Sequence, residues 1–270
     1  MAIANPLNTS ILPEPAFKSR SLRTRQLLLL PVSLAALLIV WQSAIWIMGY
    51  PAFILPSPAR VWARMLIALA DGTLIRHTAV TLGESLSGLT VGLAVAGGLG
   101  YLLAQSRMLE RILAPYIVAS QSVPVVAIAP LLVIWFGSGI TSKVLICALI
   151  VFFPVLINVI GGVRSVEPDL HDMMRTLRAS RWQTFVHLEL PAAMPMVLGG
   201  LKIGATLSVI GAVVGEFVGS NSGLGFLITA ARGQFDTSLV FVAVIALVVI
   251  AMGMYGAVAL LEKLLLAWKD

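Results

Sequence analysis

The longest polar interval of the chain, residues 163–195, holds side chains whose types could do chemistry or bind a partner. It contains two histidines, four acidic residues and four arginines, namely Arg164, Arg175, Arg178 and Arg181. The three histidines of the chain lack metal-ligand spacing, and the sequence has no phosphate-binding loop, nucleophile elbow or zinc-protease motif. We therefore expect no catalytic residue, no metal site and no cofactor. Because these charged residues form no catalytic or metal site, we interpret residues 163–195 as a loop that another molecule binds.

A helix is expected in this interval after Pro168, because proline suits the first helical turn. Asp169 and Asp172 place negative charge at the electropositive start of that helix. Helical spacing continues to Ala179 and groups three apolar residues on one face, namely Met173, Met174 and Leu177. This face is either an adaptable docking surface for a partner protein or the lower face of a helix lying on the bilayer.

A second short helix is expected after residue 180. Trp182, Phe185 and Leu188 recur there at threefold spacing, which is typical of one helical face. Because proline lacks a backbone N–H donor, this helix is expected to end at Leu190–Pro191.

The composition of the chain predicts the elements that position this loop. Hydrophobic residues make up 59% of the chain, charged residues 11%, and the mean hydropathy is +0.99. These values predict an all-α, polytopic membrane protein, and the net charge of +6 is spread over short loops rather than gathered into a nucleic-acid-binding face. Six apolar stretches are each long enough to cross a hydrocarbon core of about 30 Å: residues 27–49, 81–104, 114–136, 143–163, 197–219 and 239–261.

Charge counts give the expected orientation. With the N-terminus in the cytoplasm, twelve lysines and arginines lie inside and five lie outside, as the positive-inside rule requires. The expected organisation is then a cytoplasmic tail (1–26), a first transmembrane helix with an external amphipathic segment (27–80), a core of five transmembrane helices with the cytoplasmic loop 164–195 (81–262), and a cytoplasmic C-terminal tail (263–270).

Small residues recur at every fourth position in the second and fifth spans, which predicts flat ridges where helix backbones approach closely. The ridge positions are Gly88, Gly92, Ala96 and Gly100 in the second span, and Gly200 and Gly204 in the fifth. The ridges suit either static packing or a seam that slides during transport.

Polar residues within the spans are candidates for lining a transport pathway. The candidates are Gln121, Ser122, Pro124, Asn158 and Glu216. Proline frees backbone carbonyls that water or neighbouring helices must satisfy, so interhelical hydrogen bonding is the alternative role for the polar candidates.

The loop pattern resembles the EAA loop, EAA-x3-G-x9-I-x-L-P, of permease subunits of ABC importers. The matching positions are Asp172-Met173-Met174 at the triplet, Arg178 at the glycine, and Leu188, Leu190 and Pro191 at I-x-L-P. The likeness extends from Pro56-Ser57-Pro58 to Ser222-Gly223-Leu224-Gly225 and is greatest to the sulfonate, taurine and nitrate branch. The triplet and the arginine depart from the pattern.

This resemblance implies a type I ABC importer permease in a bacterial inner membrane, working by alternating access. Implied partners are two cytoplasmic ATPase subunits, an extracytoplasmic substrate-binding protein, the lipid bilayer and a second permease copy as a homodimer, with no nucleic acid. The implied ATPase-coupling residues are Asp172, Met173, Met174, Leu177, Arg178, Ala179, Leu190 and Pro191. The resemblance also implies a role for Glu216 in gating or in contact with the binding protein.

The resembling branch implies a sulfonate or related small organic anion as the first choice of cargo. A vitamin-precursor heterocycle of the pyrimidine or flavin type is the second choice. Two functions from other classes remain open at this point. A gradient-driven secondary transporter would need acidic ligands at mid-membrane, and a membrane enzyme would need a nucleophile or metal site.

Overall fold

The computed structural model describes residues 19–267, with side chains from residue 31 onward. The described residues are helical throughout their regular structure, which confirms the all-α prediction. The helices are α1 (Ser19–Met48), α2 (Pro58–Ala70), α3 (Thr73–Gln105), α4 (Arg107–Gln121), α5 (Val125–Phe136), α6 (Ile140–Arg164), α7 (Pro168–Thr176), α8 (Arg181–Thr184), α9 (Leu190–Gly219), α10 (Leu224–Gly233) and α11 (Thr237–Leu265).

Helix α1 belongs to a unit of its own, which ends at Tyr50, and the other described helices form a second unit, which begins at Pro51. Residues 31–48 of α1 are apolar enough to cross a membrane. The helix already begins at Ser19, eight residues before the predicted span. The rest of the predicted N-terminal tail and the last three residues of the C-terminal tail lie outside the described residues.

Five described helices are long and apolar enough to span a membrane, and a sixth span exists only if α4 and α5 count as one. These two helices meet at an angle of 92°, so the predicted single span at 114–136 is a broken one. The break falls at Pro124, which has no N–H donor and disfavours helical geometry at Val123. Pro130 and Pro154, in contrast, lie inside α5 and α6.

Helices α3, α6 and α9 pack against one another at the centre of the second unit. The small-residue ridges lie at these contacts. A Cβ added at Gly88 would overlap the Cβ of Cys147, one at Gly92 would lie 3.0 Å from the carbonyl oxygen of Ala148, and one at Gly100 would lie 2.9 Å from Val159. The glycines therefore let α3 and α6 of the same chain approach at backbone distance.

Ion pairs join elements at the ends of the bundle. Arg164, at the end of α6, lies 2.7 Å from Glu110 in α4. Lys202 in α9 pairs with Glu262 in α11. The first of these pairs joins the end of α6, which leads into the 164–195 loop, to α4.

Candidate functional site

The predicted docking helix is α7, and it is an exposed element. It begins with Pro168 at its first turn, as expected, and none of its nine residues is buried. Met173 is exposed, Leu177 is 69% exposed, and Met174 is half-buried. The apolar face predicted from spacing is thus available to a partner along part of its width.

The helix ends at Thr176, three residues earlier than predicted, because Arg178 adopts a left-handed backbone with φ of 54°. The Arg178 N–H donates to the Arg175 carbonyl at 2.9 Å, and the Ala179 N–H donates to the Met174 carbonyl at 3.0 Å. These two bonds form the Schellman motif that closes many helices, usually with glycine at the left-handed position. Arginine stands where the EAA pattern has glycine, and it makes the turn that glycine would make.

The second helical piece does not end at Leu190–Pro191, so that prediction was wrong. Helix α8 is followed by one π-helical turn, Phe185–Glu189, and the chain continues directly into α9. The N–H of Leu190 donates to the carbonyl of Phe185, five residues earlier. Pro191 lies in the first turn of α9, where its missing N–H costs little. The wider π-helical turn thus lets the helix continue through Leu190 and Pro191 without a break.

Glu189, which the sequence analysis did not single out, is buried at 4% exposure within this π-helical turn. Its carboxylate accepts hydrogen bonds from the Tyr101 hydroxyl and the Gln105 side-chain amide, both at 2.9 Å. The His171 ring lies 3.2 Å from the same carboxylate. Only the position of an acidic residue next to Leu190–Pro191 could have suggested it from sequence.

Two pathway candidates, Gln121 and Ser122, lie together with Pro124 at the break between α4 and α5. Gln121 and Ser122 are exposed on this chain. Helix α4 has no buried residue at all. The break therefore presents polar side chains and freed backbone on a surface that the chain itself leaves open.

Asn158 lies elsewhere, at the contact between α6 and α9. Its side-chain amide donates to the Pro154 carbonyl at 2.8 Å. A Cβ added at Gly200 would lie 2.7 Å from the Asn158 Cβ. Asn158 thus hydrogen-bonds to the backbone of its own helix, not to a neighbouring helix, and packs against a ridge glycine of α9.

Glu216 is buried and holds the turn after α9. The Thr81 hydroxyl donates to one carboxylate oxygen at 2.6 Å, and the Gly225 N–H donates to the other. The Thr81 hydroxyl oxygen also accepts from the Leu224 N–H at 2.8 Å. Gly223 has φ of +103°, and a Cβ there would overlap the Glu216 carboxylate. The segment Ser222–Gly225 therefore packs directly against the Glu216 carboxylate.

Glu84 and Lys143 complete this buried polar cluster. Lys143 Nζ lies 3.3 Å from a Glu84 oxygen and donates to the Ser220 hydroxyl at 2.6 Å. Burying charge is costly unless it is paired and hydrogen-bonded. The cluster thus joins α3, α6 and α9 to the turn before α10.

The predicted site residues therefore occupy four places: the α7 loop, the α4–α5 break, the α6–α9 contact at Asn158 and the buried cluster around Glu216. The structure brings Gln121 and Ser122 together, but it places Asn158 and Glu216 apart from them. Among the described residues, no group of three or more His, Cys, Asp or Glu side chains is placed to hold a metal ion.

Comparison with known proteins adds three sequence relatives and one fold relative. The family model for the binding-protein-dependent transport system inner membrane component matches residues 88–266. The riboflavin transport system permease protein RibX of Chloroflexus aurantiacus is 50% identical, over 89% of this chain and 90% of its own. The formylaminopyrimidine transport permease protein ThiX of Halalkalibacterium halodurans is 35% identical, over 86% and 92%. The putative aliphatic sulfonates transport permease protein SsuC of Bacillus subtilis is 32% identical, over 90% and 87%.

A solved structure of the MetNI methionine ABC transporter in an inward-facing conformation has the same fold. It aligns with a TM-score of 0.64 at 18% identity, over 71% of this chain and 95% of its own. At this identity the likeness concerns the fold.

Proposed function

Because this chain belongs to the binding-protein-dependent transport system inner membrane component family and is the multi-pass permease subunit of an ABC importer, we propose that it imports a heterocyclic vitamin or vitamin precursor of the flavin or pyrimidine type. ATP hydrolysis belongs to a separate ATPase subunit, and cargo is delivered by a substrate-binding protein.

The observation that carries the choice of cargo is the 50% identity to a riboflavin permease across nine-tenths of both chains. The relative named for aliphatic sulfonates is 32% identical, and a second relative named for a pyrimidine is 35% identical. These values rank the heterocycle above the sulfonate that the sequence analysis placed first. Neutral side chains at the α4–α5 break suit an uncharged ring, which hydrogen bonds can guide.

Uptake by the reconstituted importer tests this choice. The permease, its ATPase and its binding protein are placed in liposomes containing ATP, and uptake of labelled riboflavin, formylaminopyrimidine and taurine is measured in parallel. We expect ATP-dependent uptake of a heterocycle and none of taurine. Uptake of taurine with neither heterocycle entering would transfer the assignment to the sulfonate.

We propose that α7 and its flanks couple this permease to the ATPase. The exposed Met173 and Leu177 side chains, next to a fixed Schellman turn, form an apolar projection of the kind that a groove on another protein accepts. Orientation with the N-terminus inside, supported by the charge count, places this projection in the cytoplasm.

A charge placed on the projection tests the coupling role. Leu177→Asp puts a carboxylate where a partner would bury leucine, and it is expected to reduce ATPase recovery on co-purification while the permease still inserts. Met108→Asp, at an equally exposed apolar residue of α4, serves as the matched control. Equal recovery for wild type and Leu177→Asp would instead support a helix that lies on the bilayer.

We also propose that two copies form the pathway, with the α4–α5 breaks facing each other. Gln121 and Ser122 are exposed on the single chain, and a polar break is costly against lipid. In a Cys147→Ala background, Gln121→Cys is expected to form a disulfide between two copies in the membrane, whereas Met252→Cys on the exposed surface of α11 is not. Monomeric protein in both cases would overturn the paired arrangement.

A further inference from the structure

Helix α7 makes few side-chain contacts with the helix bundle, apart from its covalent connection through the chain. None of its residues is fully buried, and Met174 is its one apolar residue that is half-buried, so little apolar packing anchors it. Its Arg175–Asp172 ion pair and its Thr176–Asp172 hydrogen bond stay within the helix. Among the side-chain hydrogen bonds and ion pairs of the described residues, the contact of His171 with Glu189 is the one that leaves α7 for the bundle.

The acceptor in this contact, the Glu189 carboxylate, is held in place by other hydrogen bonds as well. Glu189 is nearly fully buried and accepts from Tyr101 and Gln105, both on the last turns of α3. A buried carboxylate is tolerated only when donors surround it, so each of these bonds holds the group in place. The Tyr101 ring also packs edge-on against Phe185 of the π-helical turn, with ring centroids 5.0 Å apart. Single π-helical turns within α-helices are frequent at functional positions.

We propose that Glu189 is the positioning residue that latches α7 to the cytoplasmic end of α3, so that a displacement of α7 moves α3 and α9 with it. The proposal rests on the coupling role proposed above for α7. Carboxylates only accept hydrogen bonds, so the His171 Nε2 donates and Glu189 serves as the shared acceptor of two helices.

Helix α3 can carry such a displacement across the membrane. Tyr101 and Thr81 lie on the same uninterrupted helix, about 30 Å apart at 1.5 Å per residue. Thr81 donates to Glu216, which holds the turn before α10. The latch therefore connects the exposed loop with the opposite end of the bundle through one helix.

The test compares ATP hydrolysis with conformational response, because a merely stabilising role would lower both. The co-purified permease–ATPase complex carries Gln121→Cys in a Cys147→Ala background and is kept reduced until labelling, so that a disulfide between the two copies does not consume the thiol. The labelling rate of this cysteine by a membrane-impermeant maleimide is measured with and without Mg-ATP and vanadate, and ATPase activity is measured on the same preparation. This readout needs no cargo and so does not depend on the choice of substrate.

Glu189→Ala removes the acceptor of all three donors. We expect ATPase recovery and hydrolysis to stay near wild type, whereas the ATP-dependent change in labelling rate falls about tenfold or more, in the range of measured couplings. Glu189→Gln keeps the shape and one acceptor oxygen and is expected to retain part of the response. Glu167→Ala removes an exposed glutamate from the same loop and is expected to behave as wild type.

The outcomes separate this inference from the coupling role itself. A full labelling response in Glu189→Ala, together with lost ATPase recovery in Leu177→Asp, would overturn the latch and leave the docking role of α7 standing. A full response in Glu189→Ala with unchanged ATPase recovery in Leu177→Asp would overturn both. Parallel loss of complex, hydrolysis and response in Glu189→Ala and Glu189→Gln would show a folding role and also overturn the latch.

Discussion

Adding one methyl group at Gly88 tests whether the contact between α3 and α6 is as close as the structure describes. The Cβ of Gly88→Ala would overlap the Cβ of Cys147, and it would also lie 3.1 Å from the Val144 carbonyl oxygen. Both neighbours belong to backbone or to the base of a side chain, so no rotamer change relieves the overlap. The two helices must therefore separate locally.

The expected cost follows from two opposing effects. Overpacking a close contact typically costs about 1–3 kcal/mol, and the overlap at Gly88 places this case in the upper half of that range. Alanine in place of glycine stabilises a helix interior by about 1 kcal/mol. The net loss is then about 1–2 kcal/mol, whereas Gly98→Ala, which has no atom within 4 Å of its added Cβ, is expected to gain up to about 1 kcal/mol.

Thermal unfolding of the purified protein in detergent measures the difference between these variants. With about 2–4 °C per kcal/mol for chains of this size, Gly88→Ala should unfold at least about 2 °C below Gly98→Ala. The Cys147→Gly background removes the overlapping Cβ, so Gly88→Ala should cost less there, with a coupling energy above about 0.5 kcal/mol. Equal stability of the two alanine variants, or the same cost in both backgrounds, would refute the close contact.

Three further outcomes are expected. Arg178→Gly should raise the unfolding temperature, because it removes about 1 kcal/mol or more of strain from the left-handed backbone conformation. Arg178→Ala keeps a Cβ and should not raise it. Equal unfolding temperatures for the two variants would argue against strain at this turn. Glu216→Ala should speed amide hydrogen exchange at Gly225 about tenfold or more, since a hydrogen bond to a charged group contributes about 1.5–3 kcal/mol, and unchanged exchange would contradict the anchoring of that turn. Single cysteines at Arg178 and at Ser222, in a Cys147→Ala background, should label with an impermeant maleimide from opposite sides of the membrane, and labelling of both from outside would contradict the proposed topology.

Hydropathy predicted the helices well because long apolar runs have few alternatives in a bilayer. Hydropathy does not show which prolines interrupt a helix. Pro124 ends a helix, whereas Pro130, Pro154 and Pro195 lie inside helices. Proline removes the hydrogen bond to the carbonyl four residues earlier, so whether a proline breaks a helix depends on the contacts that satisfy that carbonyl. Such contacts are not visible in the sequence around each proline.

The sites were predicted to different degrees for a related reason. Periodicity located α7, because its apolar face is a local property of consecutive residues. Its end at Thr176 was missed, because arginine gives no signal for a left-handed turn. Glu189 was missed because its partners Tyr101 and Gln105 lie 88 and 84 residues away, and nothing local distinguishes a buried glutamate from an exposed one.

Helices α3 and α9 are joined at both ends by a buried glutamate. Glu189 immediately precedes α9 and accepts from Tyr101 and Gln105 of α3, whereas Glu216 near the end of α9 accepts from Thr81 of α3. The two acids are separated by about 40 Å of helix, and between them the close-packed glycines of both helices lie against α6. A bundle held at both ends and packed at backbone distance in the middle resists sliding of one helix along another. Static packing is thus favoured over a sliding seam, and the α4–α5 break, where α4 buries no residue, is the place in the described core best suited to move during transport.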